Sequence, residues 1–360
     1  MNTPFGELTQ LDLSDHDLCR QFLALDKHRL AEGLVIESLF DQYLETFPGD
    51  QKDVPRLIDA DTAIAVNPGD KVTYAFVWDR GSPVGLGRYL TALGQHYRVI
   101  LVRFHNAHKL FTAAECREGK RVSTWFPLPE LAQKLSGKNE PSAFDIDASV
   151  RDTKRINQSF WGYLSEHYGT ELGQRVILPR IFLNFGIQPW FQYVWNVDRI
   201  YLHGNQLWHL EIKHKYPMSG RPLIFGLNDG EIRMIRRLAH CGLRSLHTII
   251  VKPRWDKETG SMFLTNNMTA RSSAAVVIGR EITSRDALSI MRQPPRYSGA
   301  DTSFTGRKKQ KSYPLLVTDF SSFGTLGMPH TEVATRMDAF MRGEKREPVT
   351  DDWLLSLKME

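Results

Sequence analysis

The 360-residue sequence predicts an α/β protein with a mixed sheet flanked by helices. Two observations carry this. Runs rich in β-branched and aromatic residues recur at strand length: TAIAV at 62–66, VTYAFVW at 72–78, YRVILVRF at 97–104 and SLHTIIVKP at 245–253. Between them lie segments whose apolar residues recur at helical spacing.

The elements follow in order. Ser14 or Asp15 can cap a first helix with Leu18, Phe22, Leu23, Leu25 and Leu30 on its apolar face, and a second helix is expected over 34–47. Residues 60–135 read as mixed α/β, with a short helix in GLGRYLTALGQH (85–96) and a strand in RVSTWF (121–126). LSGKNEPSAFDIDASV (135–150) has the composition of a linker. A helix is expected over 152–169, an extended stretch in VILPRIFLNF (176–185), a hairpin over 190–216, a helix over 228–240 and a strand over 245–253. Beyond these come possible strands in SMFLT (261–265) and AAVVIG (274–279), a helix in SRDALSIM and a basic loop, GRKKQK. The expected organisation is an N-terminal helical and mixed region (1–150), a core (151–255) and a C-terminal extension (256–360).

Composition narrows the class. Hydrophobic residues make up 41% and charged residues 24% of the chain, as in soluble globular proteins. No apolar run approaches the roughly 20 residues that span a bilayer. The polar, acidic start does not read as a secretory signal. Three widely spaced cysteines build neither a disulfide framework nor a zinc knuckle, so a cytoplasmic setting is expected. A net charge of +5 permits an acidic partner such as DNA without requiring one.

The hairpin is the most informative stretch. NVDRIYLHGNQLWHLEIKHKY (196–216) alternates strongly about Gly204-Asn205. Gly at the first central position suits a two-residue type II′ turn. That turn pairs His203 with Gln206 and Leu202 with Leu207. Counting outward, it sets Asp198 opposite Glu211, with Lys213 on the same face. Trp208, Leu210 and Ile212 then face the core. Two carboxylates side by side among apolar neighbours repel each other, and a divalent cation resolves the conflict. With the carbonyl of Ile212 they make a hard oxygen site suited to Mg²⁺ or Mn²⁺. Lys213 is placed to orient or deprotonate a water, or to stabilise charge on a phosphoryl group.

Asp198, twelve intervening residues and then Glu211-Ile212-Lys213 resemble the D…ExK motif of the PD-(D/E)XK nuclease superfamily. The order of elements over 151–255 is similar to the restriction-endonuclease-like core of that family. The resemblance implies a Mg²⁺-dependent endonuclease that hydrolyses DNA and leaves a 5′-phosphate, with Asp198 and Glu211 on the metal and Lys213 assisting the nucleophile. Prokaryotic defence and mobile-element cleavage are among the uses of such a core. Val197 stands where the motif's name has Pro. The acid that such cores often carry on their first helix falls to Glu166, with Glu171 the weaker candidate. The alternative is a nucleic-acid-binding or assembly subunit with a nuclease-like fold and no catalysis; cleavage of RNA is a third option.

Further basic residues are candidate phosphate contacts: Lys215 beside the motif, Arg233, Arg236 and Arg237 on the following helix, and Lys308 and Lys309 in the basic loop. Each also reads as an ordinary solvated charge. Asn228 and Glu231 form a capping box for that helix. His105 and His108 read as a loop or helix start. Phe191, Tyr193 and Trp195 have strand spacing and read as sheet packing in preference to a base-stacking platform. A homodimer or larger complex would suit paired cuts on duplex DNA.

Overall fold

A computed structural model describes residues 1–47, 54–67, 69, 71–81, 84–142, 146–191, 193–297, 309–344 and 346–360. It is an α/β structure with mixed sheets flanked by helices. After a small strand pair (Asn2–Thr3 with Gly6–Glu7) and a 3₁₀ turn come α1 (His16–Ala24), capped by the Asp15 side chain, and α2 (His28–Leu44). Then come β1 (Ala60–Val66), β2 (Thr73–Asp79), α3 (Leu86–Leu93), β3 (Arg98–His105), β4 (Leu110–Arg117) and α4 (Leu128–Ser136). A helical run starts with α5 (Thr153–Ser159) and continues to Tyr168. Next are β5 (Tyr193–Val197), β6 (Arg199–His203), β7 (Gln206–Lys215), β8 (Ile224–Asn228), α6 (Asp229–His240) and β9 (Arg244–Val251). The chain closes with β10 (Val276–Glu281), α7 (Ser284–Arg292), β11 (Lys311–Leu316), β12 (Ser321–Thr325), α8 (His330–Met341) and α9 (Asp351–Ser356).

Two sheets matter for the site. One runs β5-β1-β2-β3-β4, with two short strands added at the β4 side. The other runs β12-β10-β9-β7-β6 and ends on the two-residue strand Arg56–Leu57. In the second sheet β7 pairs antiparallel with β6 and parallel with β9. α6 lies in the connection from β7 to β9 and packs on β9. Hydrogen-bonded strands cross both boundaries expected from the sequence. β5 joins β1 across position 150, and β10 joins β9 across position 255.

The hairpin forms in the expected register. His203 pairs with Gln206, and Gly204 has φ 55°. Trp208, Leu210 and Ile212 are buried in the main core together with Val35, Leu39 and Tyr43 of α2. Thus α2 lies directly against β7, while α5 packs on α2. The segment expected to lead the core sits one layer further out.

Three local expectations are corrected. VILPRIFLNF is helical, not extended, lying within Gly173–Ile177, Leu178–Ile181 and Phe182–Ile187. Its residues are buried nearly all round, so no periodicity distinguishes helix from strand there. SMFLT forms the helix Met262–Asn266. RVSTWF yields only edge pairings at Lys120–Arg121 and Phe126–Pro127, while Leu110–Arg117, read as no element from the sequence, is a full strand.

Trp208 is fully buried, with the Arg244 guanidinium 4.0 Å from its ring centroid. Trp208→Ala is therefore expected to cost about 3–5 kcal/mol in urea unfolding. Leu57→Ala, at an exposed edge position, should shift stability by less than about 0.5 kcal/mol.

Candidate functional site

β5 and β6 are nearly one continuous strand, yet they belong to different sheets. Val197 pairs with Thr62 of β1, whereas Arg199 pairs with Leu210 of β7. Asp198 is the single residue between them. The chain forks there, and β7 runs on without its β6 partner.

This has a consequence for the backbone of β7. In a two-residue hairpin the closing pair exchanges hydrogen bonds, and such pairs alternate along the ladder. His203–Gln206 is that pair, so Trp208, Leu210 and Ile212 also direct their N–H and C=O groups toward β6. At Ile212 the neighbour has left. The N–H of Ile212 instead donates to Asp198 Oδ2 at 3.4 Å, and the ladder alternation turns its carbonyl toward the same edge.

The side chains gather as expected from the register. The Lys213 ammonium makes a short ion pair with Glu211 Oε1. It lies 3.8 Å from Asp198 Oδ2 and 3.7 Å from Glu231 Oε1. Three carboxylates thus surround one cation. Glu211 is 2% exposed, and its second oxygen is 3.4 Å from His209 Nε2 without a hydrogen bond. His247 lies beside Glu211 in the parallel register and is fully buried. Burial drives its pKa well down, and the Lys215 charge adds to this, so it stays neutral.

The charges are strongly perturbed. Burial, followed by the charge on Glu211, pushes Asp198 up to about 8. Burial also pushes Glu211 up, but Lys213 and His209 outweigh it and hold the group below the usual carboxylate range. Burial would lower Lys213, yet Glu211, Glu231 and Asp198 keep it well above its ordinary value. Burial and Glu211 thus favour the neutral form of Asp198, while Lys213 favours the charged form of Glu211 and is itself favoured as an ammonium.

Asp198 lines a cleft together with Asp41, Asp59, Asp61, Glu171 and Arg199. Many of these charges are paired within the wall. Arg199 bonds Asp41 at 2.8 Å, and Arg80 bonds Asp61 at 2.6 Å. Glu166 is exposed and is not among the lining residues. Glu171 does line the cleft, held by Arg175 at 3.3 Å.

The other sequence candidates sit as follows. Lys215 donates to the Gly226 carbonyl at 2.8 Å, and burial lowers its pKa. Arg233 is tied to Asp229 at 2.7 Å. Arg236 is half-buried, and Arg237 is exposed with its guanidinium 5.5 Å from the Trp195 ring centroid. Lys309 is exposed, while Lys308 lies outside the described residues.

Three participants were not found from the sequence. Glu231 reads there only as a capping residue; it does bond the Asn228 N–H at 3.3 Å, yet it also reaches Lys213. Glu37 acts on Asp198 from α2, a distance in sequence that no local pattern reveals. His209 had a usable signal, since His209, Glu211 and Lys213 alternate on one strand face.

Among the described residues, no three His, Cys, Asp or Glu side chains form a group that could hold a metal ion. No helix of the described residues is long and apolar enough to cross a membrane. Comparison with known proteins finds no family model, no curated protein and no solved structure that matches the chain.

The raised Asp198 has a stability consequence. The native state holds a proton that the unfolded chain releases near pH 3.9. Its contribution is complete below that pH and is lost as pH rises through about 8. In EDTA, Asp198→Asn should therefore gain stability relative to wild type from about pH 4 upward. Urea melts across that range check this; a constant difference would refute it.

Proposed function

We propose that the chain is a metal-dependent endonuclease of the PD-(D/E)XK kind, with a restriction-endonuclease-like core, hydrolysing DNA phosphodiester bonds. One observation carries the reading. Asp198, Glu211 and Lys213 converge at the strand fork, on the open edge of β7.

The donor chemistry fits a hard divalent cation. Asp198, Glu211 and the Ile212 carbonyl offer oxygen only. Mg²⁺ is commonly held by one or two carboxylates, with water and substrate phosphate completing its shell, so a full protein cage is not needed. Mn²⁺ accepts the same ligands. When bound, such an ion supplies Lewis acidity toward the phosphate and lowers the pKa of a coordinated water.

The chain's own residues supply the rest. Asp198, on giving up its proton to the solvent, and Glu211 would hold the cation, and the neighbours of Glu211 keep it ionised for that task. Lys213 remains an ammonium, so it works as a hydrogen-bond donor. It orients the attacking water and stabilises charge on the phosphate oxygens. Water adds to phosphorus, the bond to the 3′ oxygen breaks, and a 3′-hydroxyl and a 5′-phosphate result.

The test is cleavage of supercoiled plasmid, linear duplex and single-stranded DNA in Mg²⁺, Mn²⁺ and EDTA. Wild type should cut only with metal. Asp198→Asn and Lys213→Ala should lose about 10²- to 10³-fold in rate, with circular dichroism confirming that both remain folded. Retained DNA binding without cutting of any form would instead favour a non-catalytic binding subunit.

A further inference from the structure

We propose that Tyr193 and Trp195 form a stacking platform for unpaired bases, so that the nucleic acid reaching the fork is single-stranded or locally unwound. The cleavage part of this proposal rests on the nuclease reading; the binding part stands apart from it.

The aromatic series at the start of β5 splits in two. Phe191 is 4% exposed and packs on Tyr74 and Phe76 at 5.6 and 5.4 Å between centroids. Tyr193 is 54% exposed, and its ring lies nearly parallel to that of Trp195, with centroids 5.9 Å apart and planes at 21°. Core packing accounts for the first ring and leaves the outer face of Tyr193 bare. Strand spacing puts Tyr193 and Trp195 on the same side of β5, which is the edge strand of its sheet.

The surroundings select the occupant. The exposed Arg237 holds its guanidinium over Trp195, and Arg233 is one turn back on the exposed side of α6. Aromatic faces beside arginines match a nucleotide, which offers a π-face and a phosphate. A paired duplex keeps its base faces stacked on one another, so only an unpaired strand can use the platform.

The platform is also close to the chemistry. Trp195 precedes Asp198 by three residues. The first turn of α6 touches both places: a Cβ on Gly230 would lie 3.1 Å from Trp195 Nε1, and the next residue, Glu231, reaches Lys213. Tyr193 lies five residues before Asp198, roughly 17 Å along an extended strand, so a base on Tyr193 would put a phosphodiester a few nucleotides further along at the fork.

The experiment measures anisotropy of a labelled oligothymidine and of a labelled duplex of equal length. It uses the full chain in EDTA and compares wild type with Tyr193→Ala and Tyr193→Phe. Tyr193→Ala should weaken single-strand binding about 5- to 100-fold, the weight of one stacked base. Duplex binding should change less than about twofold, and Tyr193→Phe should restore the single-strand affinity. Unchanged affinity in Tyr193→Ala, or an equal loss on duplex, overturns the proposal. A parallel assay in Mg²⁺ compares forked with fully paired DNA. A chain that binds single strands through Tyr193 yet cuts nothing keeps the platform and removes the nuclease. A chain that cuts every form, with single-strand binding untouched in Tyr193→Ala, removes the platform and keeps the nuclease.

Discussion

The separation of β5 from β6 at Asp198 is the constraint on which the site depends. Val197 pairs into one sheet and Arg199 into the other, so the chain leaves one ladder for the other at the residue between them. The intervening residue is left with its side chain free to cap a neighbour. Asp198 does this by accepting from the Ile212 N–H, which the departing strand has stranded. The fork therefore sets a backbone N–H that has lost its ladder partner and the carboxylate that accepts from it in one place. Buried backbone groups rarely stay unpaired, which is why a side chain takes over where the strand partner has left.

Electrostatics follow from the same geometry. Asp198 and Glu211 meet just past the Arg199–Leu210 end of the β6–β7 ladder, and the strand period brings Lys213 and His209 to the same face. Neither carboxylate can be charged at leisure beside the other in a buried layer. The charged form is favoured at Glu211, which has the closer cation and His209 beside it, and disfavoured at Asp198, which is buried next to that charge. One lysine is thus shared by three acids, an arrangement that leaves oxygen donors in excess of positive charge.

Much of this was legible in the sequence because it is local. Gly204-Asn205 defines the turn, the turn defines the register, and alternation assigns the faces. The Asn228–Glu231 cap was equally local. What escaped was non-local or aperiodic. Glu37 adds its charge to the field at Asp198 from α2, which packs on β7. Sequence order alone points to Glu166, because α5 and its continuation precede the hairpin, but α2 takes the place against β7. VILPRIFLNF is apolar on nearly every side, which erases the signal that separates helix from strand. The role of Asp198 as a fork residue also could not be read, since it depends on β1, more than a hundred residues earlier.

A purely structural account of the cluster meets a difficulty of cost. Replacing a buried ion pair with well-packed apolar side chains is often neutral or stabilising, so burial alone does not favour carboxylates. Nor is this layer polar by position. Leu207, two residues before His209, and Ile249, two residues after His247, are apolar and buried on the same face. Polar residues replace apolar ones only as β7 approaches and passes the fork, where its edge opens. That coincidence of charge with an open backbone edge is what recognition of a charged ligand needs. An inert core at the same place would be better served by more leucine and isoleucine.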